Sequence, residues 1–258
     1  VQTITAIHDR YLSASSGTKH TVAETYHWGQ AAALFNKKLS VPIRPCDRDA
    51  LWATAVLLGA IAFSSIEASK PEEAWPLKSS SSSDLEWLSM IQGKKAIWDI
   101  ADPLRNDSVF HKLVDAHKQD YLFSTAPESG HDIILSTFID LCNLINLPIS
   151  ETNPYYAAVH SLAPLLDIEC SQSTILRFIP FVSNMNPKFK DLLRQEDPRA
   201  MLLLAYWYAK VCRSQWWIAR RAMMECQAIC IYLERYHGDN TAIQELLHFP
   251  KMRCGLVA

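Results

Sequence analysis

Glycine is scarce in this sequence. Its 258 residues include 7 glycines, where roughly 18 would be usual at a frequency of about 7%. The sequence also contains no Gly-rich phosphate loop, no dinucleotide-binding fingerprint, no His-Glu-x-x-His and no Gly-x-Ser-x-Gly. These absences argue against the commonest enzyme classes, so we predict that the chain is not an enzyme. An α-helical enzyme of an unfamiliar class ranks last among the alternatives.

The sequence has no excess of basic residues either. The chain has 25 Lys and Arg against 27 Asp and Glu, a formal net charge of −2 and a pI near 6.5. Domains that bind nucleic acid directly are usually basic on one face. The short clusters Lys94-Lys95 and Arg220-Arg221 are typical of solvated helix faces. We therefore expect any contact with DNA to lie outside these residues.

Neither a membrane-spanning run nor a disulfide framework is present. The longest apolar run extends from Ala50 to Phe63 and is broken by Thr54, so it is shorter than the roughly 18 residues that span a bilayer. It predicts a buried core helix and no stable membrane insertion. The seven cysteines are odd in number and dispersed, which favours reduced intracellular thiols.

Apolar residues recur at intervals of three to four along most of the chain, and no run alternates strictly. The sequence therefore predicts an all-α fold, a single compact multi-helix domain over residues 1–258 with an apolar pocket between helices. A serine run within about 76–83 predicts a flexible loop, and Ser83 with Glu86 predicts a capping box. The first two helices are expected at 2–13 and 21–35. The third begins after Asp47 as its N-cap, and the fourth runs from 84 through 98. Further helices are expected at about 106–119, 131–146, 154–167, 173–180, 186–194, 197–212, 215–236 and 240–248.

Two helices carry the clearest signals. Asp197 and Pro198 supply an N-cap and a proline at the first helical position. The residues from Ala200 to Ala209 are apolar or aromatic all round, which predicts a helix at the centre of the fold. The following long helix ends at His237-Gly238, a good C-terminal signal.

The chain is rich in aromatic residues and methionine for a protein poor in glycine. Such residues at helical spacing usually fill a core, but ligand pockets between helices have the same apolar composition. Composition thus permits a lipid site. The candidate pocket residues are Trp87, Met90, Trp98, Phe138, Met201, Leu204, Trp207, Tyr208 and Met223.

Metal-ligand spacing occurs once on a predicted helix. Cys226 and Cys230 lie one turn apart and could hold a metal ion together with Cys212 or His237. The simpler interpretation is that these small thiols pack in a core. We therefore predict no catalytic residue, no metal and no cofactor in this part of the protein.

Six runs of the sequence carry a specific resemblance beyond composition. They are His27-Trp28-Gly29-Gln30-Ala31-Ala32-Ala33-Leu34-Phe35-Asn36-Lys37-Lys38-Leu39-Ser40, Asp49-Ala50-Leu51-Trp52-Ala53-Thr54-Ala55, Asp84-Leu85-Glu86-Trp87-Leu88, Gly93-Lys94-Lys95-Ala96-Ile97-Trp98, Asp102-Pro103-Leu104-Arg105-Asn106-Asp107-Ser108-Val109-Phe110 and, near the end, Pro250-Lys251-Met252-Arg253-Cys254-Gly255. The first two runs resemble the opening of the regulatory domain of fungal zinc binuclear cluster transcription factors. The next three are similar to the subgroup of sterol uptake control proteins. The similarity is strongest from about residue 24 to 115.

The resemblance implies a helical domain that binds a sterol, typically ergosterol, and thereby represses activation. Loss of the sterol would permit entry into the nucleus and activation of genes for sterol biosynthesis and uptake, so the protein would shuttle between cytoplasm and nucleus. The segment around Gly255 would close the pocket. Coactivators or nuclear import factors and a second copy of the chain are the implied partners.

The resemblance also implies a DNA-binding zinc cluster, which needs paired Cys-x-x-Cys motifs. No Cys-x-x-Cys occurs here, and the sequence begins with Val1-Gln2-Thr3. We therefore expect DNA contact and zinc only in an N-terminal module that precedes Val1. The alternative function is a dimerisation or coactivator interaction domain that has no small ligand and whose core is filled.

Overall fold

The computed structural model describes residues 1–13, 19–111, 132–144 and 153–257. The described residues form eleven α-helices and short 3₁₀ turns, without a strand, which confirms the all-α prediction. The chain divides into two compact units. Unit 1 comprises Val1–Glu67 and Glu86–Phe123, and unit 2 comprises Ala68–Leu85 and Ser124–Ala258. The prediction of a single domain stays a prediction.

Unit 1 is built around two helices that pack closely against each other, α3 and α4. Its helices are α1 (Gln2–Leu12), α2 (Val22–Leu39), α3 (Arg48–Ser64) and α4 (Glu86–Ala101). A small core cluster of Leu51, Ala55, Ile97 and Ala101 joins α3 to α4. The buried helix predicted from the apolar run Ala50–Phe63 is therefore α3.

A buried ion pair joins α1 to α2. The Arg10 guanidinium donates to both carboxylate oxygens of Glu24, at 2.7 and 3.1 Å, and the two side chains are 7% and 3% exposed. Two parallel charge-assisted bonds satisfy both partners where water is excluded. This pair fixes how the two N-terminal helices meet.

Unit 2 is centred on one helix. Its helices are α5 (Asp132–Leu141), α6 (Tyr156–Leu162), α7 (Ile175–Ser183), α8 (Pro187–Arg194), α9 (Pro198–Val211), α10 (Trp216–Tyr236) and α11 (Thr241–Arg253). Helices α6, α7, α8, α10 and α11 all pack against α9. Every residue of α9 from Ala200 to Ala209 is buried, as its all-round apolar sequence predicts. Lys210 is buried as well, and its ammonium donates to the carbonyl of Leu166 at 2.9 Å.

The start of α9 forms as predicted. The Asp197 carboxylate accepts hydrogen bonds from the backbone N–H groups of Arg199 and Ala200, at 3.1 and 3.0 Å, and Pro198 occupies the first turn. Helix α10 ends at Tyr236 with His237 as its C-cap, which also confirms the prediction.

A proline inside α11 is accommodated by α9. Pro250 lies within this helix and has no N–H to donate to the carbonyl four residues earlier, that of Leu246. The hydroxyl of Tyr206 donates to that carbonyl instead, at 2.8 Å. The tyrosine thus satisfies a buried acceptor that proline leaves open, and it fixes α11 against α9.

Two predicted caps are wrong. Asp47 precedes α3 but makes no side-chain cap bond, because Lys38 and Arg44 bind its carboxylate, at 2.6 and 2.8 Å. Ser83 does not cap α4, since Leu85 has a positive φ of 65° and the helix begins at Glu86. Turns occupy that segment instead, and the Asp84 carboxylate accepts from the backbone N–H of Ser81 at 2.8 Å.

The helix predicted at 106–119 is wrong over its described first residues, because 106–110 form turns. The rest of that prediction from 112 onward and the ends of 131–146 lie outside the described residues. Within the described ranges, none of the helices has the length and apolarity needed to cross a bilayer.

Candidate functional site

Four of the predicted pocket residues lie on α9 and are buried. Met201, Leu204 and Tyr208 are fully buried, and Trp207 is 1% exposed. The indole N–H of Trp207 donates to the carbonyl of Phe178 at 2.8 Å, and its ring stacks on that of Phe181. These four side chains therefore belong to the interior of unit 2, where α7 covers Trp207, and their role in a pocket stays a prediction.

Tyr208 uses its hydroxyl within unit 2. The hydroxyl donates to the Glu225 carboxylate, whose other oxygen accepts from Arg221. Burial, followed by the charge of Glu225, raises the pKa of Tyr208 well above its usual range. The Tyr208 ring thus packs in the apolar core, and its hydroxyl forms a hydrogen-bonded network with Glu225 and Arg221.

Phe138 and Met223 also lie in unit 2. Phe138 is 1% exposed and packs edge-on against Tyr206, with ring centroids 4.9 Å apart. Met223, on α10, is half-buried. Phe138 is thus part of the interior next to α9, whereas Met223 lies nearer the surface of its helix.

Tyr155 is a polar residue of this interior that the sequence analysis missed. Its ring packs between the Arg199 guanidinium, 4.6 Å from the ring centroid, and the edge of Phe189. Its hydroxyl is buried and has no hydrogen-bond partner among the described residues. Burial raises the pKa of Tyr155, followed by the charge of Asp197 and a side-chain contact with it. The Asp197 carboxylate therefore lies near this hydroxyl, outside normal hydrogen-bond geometry.

Gly255 ends α11 in a Schellman motif. The backbone N–H of Leu256 donates to the carbonyl of Lys251 at 2.9 Å, and that of Gly255 points to Met252, the pattern expected for a C-cap at Cys254. Gly255 has a φ of +78°, which other residues rarely adopt. The predicted role of Gly255 in closing a pocket stays a prediction. The positive φ of this turn by itself favours glycine at the position.

Three predicted pocket residues belong to unit 1. Trp87 is 3% exposed and Met90 is 41% exposed, while Trp98 is half-buried. Trp87 packs edge-on against Phe63, and Trp98 packs edge-on against Trp52. The tryptophans have core neighbours within unit 1, and Met90 lies on the surface. The predicted set is therefore divided, three residues in unit 1 and seven in unit 2.

A cluster of three thiols is the second notable feature of unit 2. The Sγ atoms of Cys226, Cys230 and Cys254 lie within 4.8 Å of one another, and all three residues are buried. We call them the thiol cluster. Cys226 and Cys230 lie one turn apart on α10, and Cys254 is the C-cap of α11. Neither Cys212 nor His237, the partners considered from sequence, belongs to the cluster.

The three thiols of the cluster differ in pKa. Hydrogen bonds from Cys226 and Cys230 hold the pKa of the Cys254 thiol well below its usual range, with a further contribution from the backbone N–H of Leu256. Burial raises the pKa of Cys226. The thiol of Cys254 is therefore the most acidic of the three.

Cys254 escaped the sequence analysis because a whole helix separates it from the other two cysteines. Its position relative to Cys226 depends on how α11 packs on α10, which no local pattern encodes. The one available signal is Gly255, because a helix end at that glycine places Cys254 at the cap.

We compared the chain with protein-family models, with curated proteins and with solved structures, and no match was found in any of the three comparisons.

Proposed function

We propose that this chain is a ligand-sensing regulatory domain that binds a sterol, with ergosterol as the first candidate. In this proposal the sterol represses a fungal transcription factor, and its loss permits nuclear entry and activation of genes for sterol biosynthesis and uptake. The sequence runs that resemble sterol uptake control proteins motivate the proposal. The fold and the interior of unit 2 are compatible with it.

The apolar interior around α9 supports the proposal. A sterol is a rigid apolar body with one hydroxyl, and burying it yields roughly 25 cal/mol per Å² removed from water. Met201, Leu204 and Trp207 are fully or almost fully buried and carry the side chains that such a body would contact. Methionine in particular adapts its shape to a ligand.

The hydroxyl of Tyr155 is the observation that carries the proposal furthest. A buried hydroxyl without a partner costs free energy, so native proteins seldom retain one without a reason. Apolar ligand pockets contain a few such polar groups, which fix the orientation of the ligand. We assign Tyr155 to the sterol hydroxyl, as the partner that the described residues do not supply.

The mechanism is a shift between two states of the domain. A ligand changes such an equilibrium only to the extent that it binds one state better. The chain turns at Gly255 directly after α11, and in this proposal the residues that follow the turn close over the occupied pocket. Loss of the sterol would release this segment and expose a surface for import factors or coactivators.

Titration with an intrinsically fluorescent sterol tests the proposal. Energy transfer from the eight tryptophans to the sterol should saturate at submicromolar to micromolar sterol and should be reversed by ergosterol. Transfer that is absent, or that ergosterol does not reverse, in protein with a helical circular dichroism spectrum would contradict it.

Tyr155→Phe tests the assigned anchor. Loss of one net hydrogen bond, about 0.5–1.5 kcal/mol, should weaken ergosterol binding by about two- to tenfold. The thermal midpoint of the free protein should not fall, because the hydroxyl has no partner to lose. Tyr156→Phe, at the half-buried neighbouring position, is the matched control and should leave binding unchanged. Equal affinities for both variants would remove Tyr155 from the site.

Gly255→Glu tests the closing segment. A bulky acid at this position should weaken sterol binding and make a reporter gene constitutively active in the full-length factor. Gly255→Ala introduces the same backbone strain without the acidic side chain. It therefore separates an effect of strain from an effect of the bulky charge. Unchanged affinity and unchanged reporter output for Gly255→Glu would refute the assignment.

A ligand-free dimerisation domain is the second candidate, and the surface of α2 favours it. Val22, Tyr26 and Leu34 are 89%, 62% and 64% exposed, and Glu24 is the one buried residue of that helix. Exposed apolar side chains on one element often mark an interface. Tyr26→Glu should then convert a dimer to a monomer in light scattering, whereas a monomeric parent protein would exclude this route.

A further inference from the structure

We propose that Cys226, Cys230 and Cys254 form a binding site for a soft, thiophilic d¹⁰ metal ion of the Zn(II) or Cu(I) class. The proposal does not depend on sterol binding. It departs from the expectation that these cysteines simply pack in a core, because the third thiol converts a helical pair into a set of metal ligands.

The geometry of the thiol cluster is the first argument. Ligands four residues apart on a helix lie on one face, so Cys226 and Cys230 present their sulfurs side by side. Cys254 adds a third sulfur from a different helix, and all three sulfurs lie within 4.8 Å of one another. Zinc–thiolate bonds of about 2.3 Å place sulfurs roughly 4 Å apart, so a modest contraction would suffice.

The surroundings of the sulfurs are the second argument. Cys226 and Cys230 are fully buried, and Cys254 is 1% exposed, so water competes weakly for an ion. Backbone carbonyl oxygens are the nearby acceptors: that of Ala205 lies 3.5 Å from the Cys226 Sγ and that of Lys251 lies 3.6 Å from the Cys254 Sγ. Three sulfurs in a dry site favour soft ions over Mg²⁺ or Ca²⁺.

The end of α11 gives the site its third ligand and a second contact. Gly255 turns the chain, and the Cys254 carbonyl accepts a hydrogen bond from the Gln227 side chain at 2.7 Å. Gln227 lies between the two helical cysteines in sequence. Helix α10 therefore holds the Cys254 backbone by an independent bond, which positions its sulfur before any ion binds.

Binding would link α10 to the C-terminal turn. Each thiol that becomes a ligand loses its proton to solvent. The ion then adds a bond between two helices that packing, the Gln227 bond, the Lys251–Glu234 ion pair and the Gln244 amide already hold together. An ion that binds the folded chain more tightly than the unfolded one raises the stability of the fold. The thermal midpoint should therefore rise with the concentration of the ion.

The test is a titration of the full 258-residue chain with Cd(II), whose bonds to thiolates absorb in the ultraviolet. Cys46 is the exposed cysteine, so the titration uses a Cys46→Ser background and a phosphine reductant. We expect one Cd(II) per chain, a rise in the thermal midpoint and slower alkylation of three thiols than in the ion-free chain. Zn(II) or Cu(I) should displace Cd(II). The ion that does so at the lower concentration is the one that the site binds more tightly.

Variants locate the site. Adding Cys230→Ser to the background should weaken Cd(II) binding by at least about tenfold, the lower limit seen for outer-shell partners. Adding Cys142→Ser, which removes a buried thiol outside the cluster, should leave binding unchanged. Equal weakening by both substitutions would overturn the proposal.

The background protein alone also decides the question if Cys230→Ser fails to fold. Absence of the ultraviolet band in folded protein, protection of fewer than three thiols, or failure of both Zn(II) and Cu(I) to displace Cd(II) would each overturn the proposal.

Discussion

At the scale of single residues, Asp49 shows how one carboxylate organises unit 1. It accepts hydrogen bonds from Arg105 at 2.6 Å, from the Ser108 hydroxyl at 2.9 Å and from the backbone N–H of Val109 at 3.0 Å. These bonds join the start of α3 to the segment after α4. The two sequence runs that contain these residues were singled out for family resemblance, and the structure gives them a shared structural role.

Because of Asp49, the free energy of unfolding of unit 1 should vary with pH in the acidic range. The backbone N–H of Val109, followed by Ser108 and Arg105, lowers the pKa of Asp49. Since the folded pKa lies below the unfolded value of about 3.9, the stabilisation is complete above that value and is lost as pH falls through the folded pKa.

We therefore expect Asp49→Asn to lower the free energy of unfolding by about 1–2 kcal/mol at neutral pH. The loss should shrink as the pH falls through the lowered pKa of Asp49, where the parent protein loses the same interaction. Urea titrations at several pH values measure it, with Asp99→Asn on an exposed position of α4 as the control. A pH-independent difference between Asp49→Asn and the parent would contradict the account.

Gly255 gives a second prediction at this scale. Its φ of +78° is strained for alanine but tolerated better by asparagine, and a Cβ there meets nothing within 4 Å. Gly255→Ala should therefore lower the free energy of unfolding by about 1 kcal/mol, and Gly255→Asn should lower it by less. Equal losses measured by thermal unfolding would show that backbone strain is not the cause.

At the scale of elements, α9 organises unit 2. Its N-cap and proline hold it at one end, and five other helices surround it. Tyr206 bonds the carbonyl that Pro250 leaves free, so the packing of α11 on α9 has a polar component as well as an apolar one. Unit 2 is therefore specified mainly by this one helix.

Leu204→Ala measures how tightly α9 is packed. Removing a fully buried leucine side chain from a filled core costs about 2–5 kcal/mol. We expect a value at the low end, because in the proposed pocket one side of Leu204 faces the ligand. Leu34→Ala, at an exposed position of α2, should change the free energy of unfolding by less than about 0.5 kcal/mol. A loss near the upper limit would favour the filled core of the alternative hypothesis.

The elements could be predicted because their signals are local. The pair Asp197-Pro198, the apolar run of α9 and the stop at His237 each depend on neighbours in sequence, and each is confirmed. The caps at Asp47 and Ser83 failed for a different reason. Lys38 is brought to Asp47 by the fold, and a backbone turn at Leu85 delays α4 until Glu86.

At the scale of the whole molecule, the sequence could predict the fold class but not which side chains meet. The approach of Cys254 to Cys226 and the burial of the Tyr155 hydroxyl both depend on how separate helices pack. The division of the predicted pocket residues between two compact units has the same origin, because helical periodicity identifies an apolar face without identifying its partner.

The central claim is that the folded chain binds a sterol. Native mass spectrometry of the chain after incubation with ergosterol tests it most directly, because the complex is counted and no probe is attached. We predict a complex of one ergosterol per chain that persists at low micromolar protein and weakens in Tyr155→Phe. Free chain alone, from protein that circular dichroism shows to be folded, would contradict it.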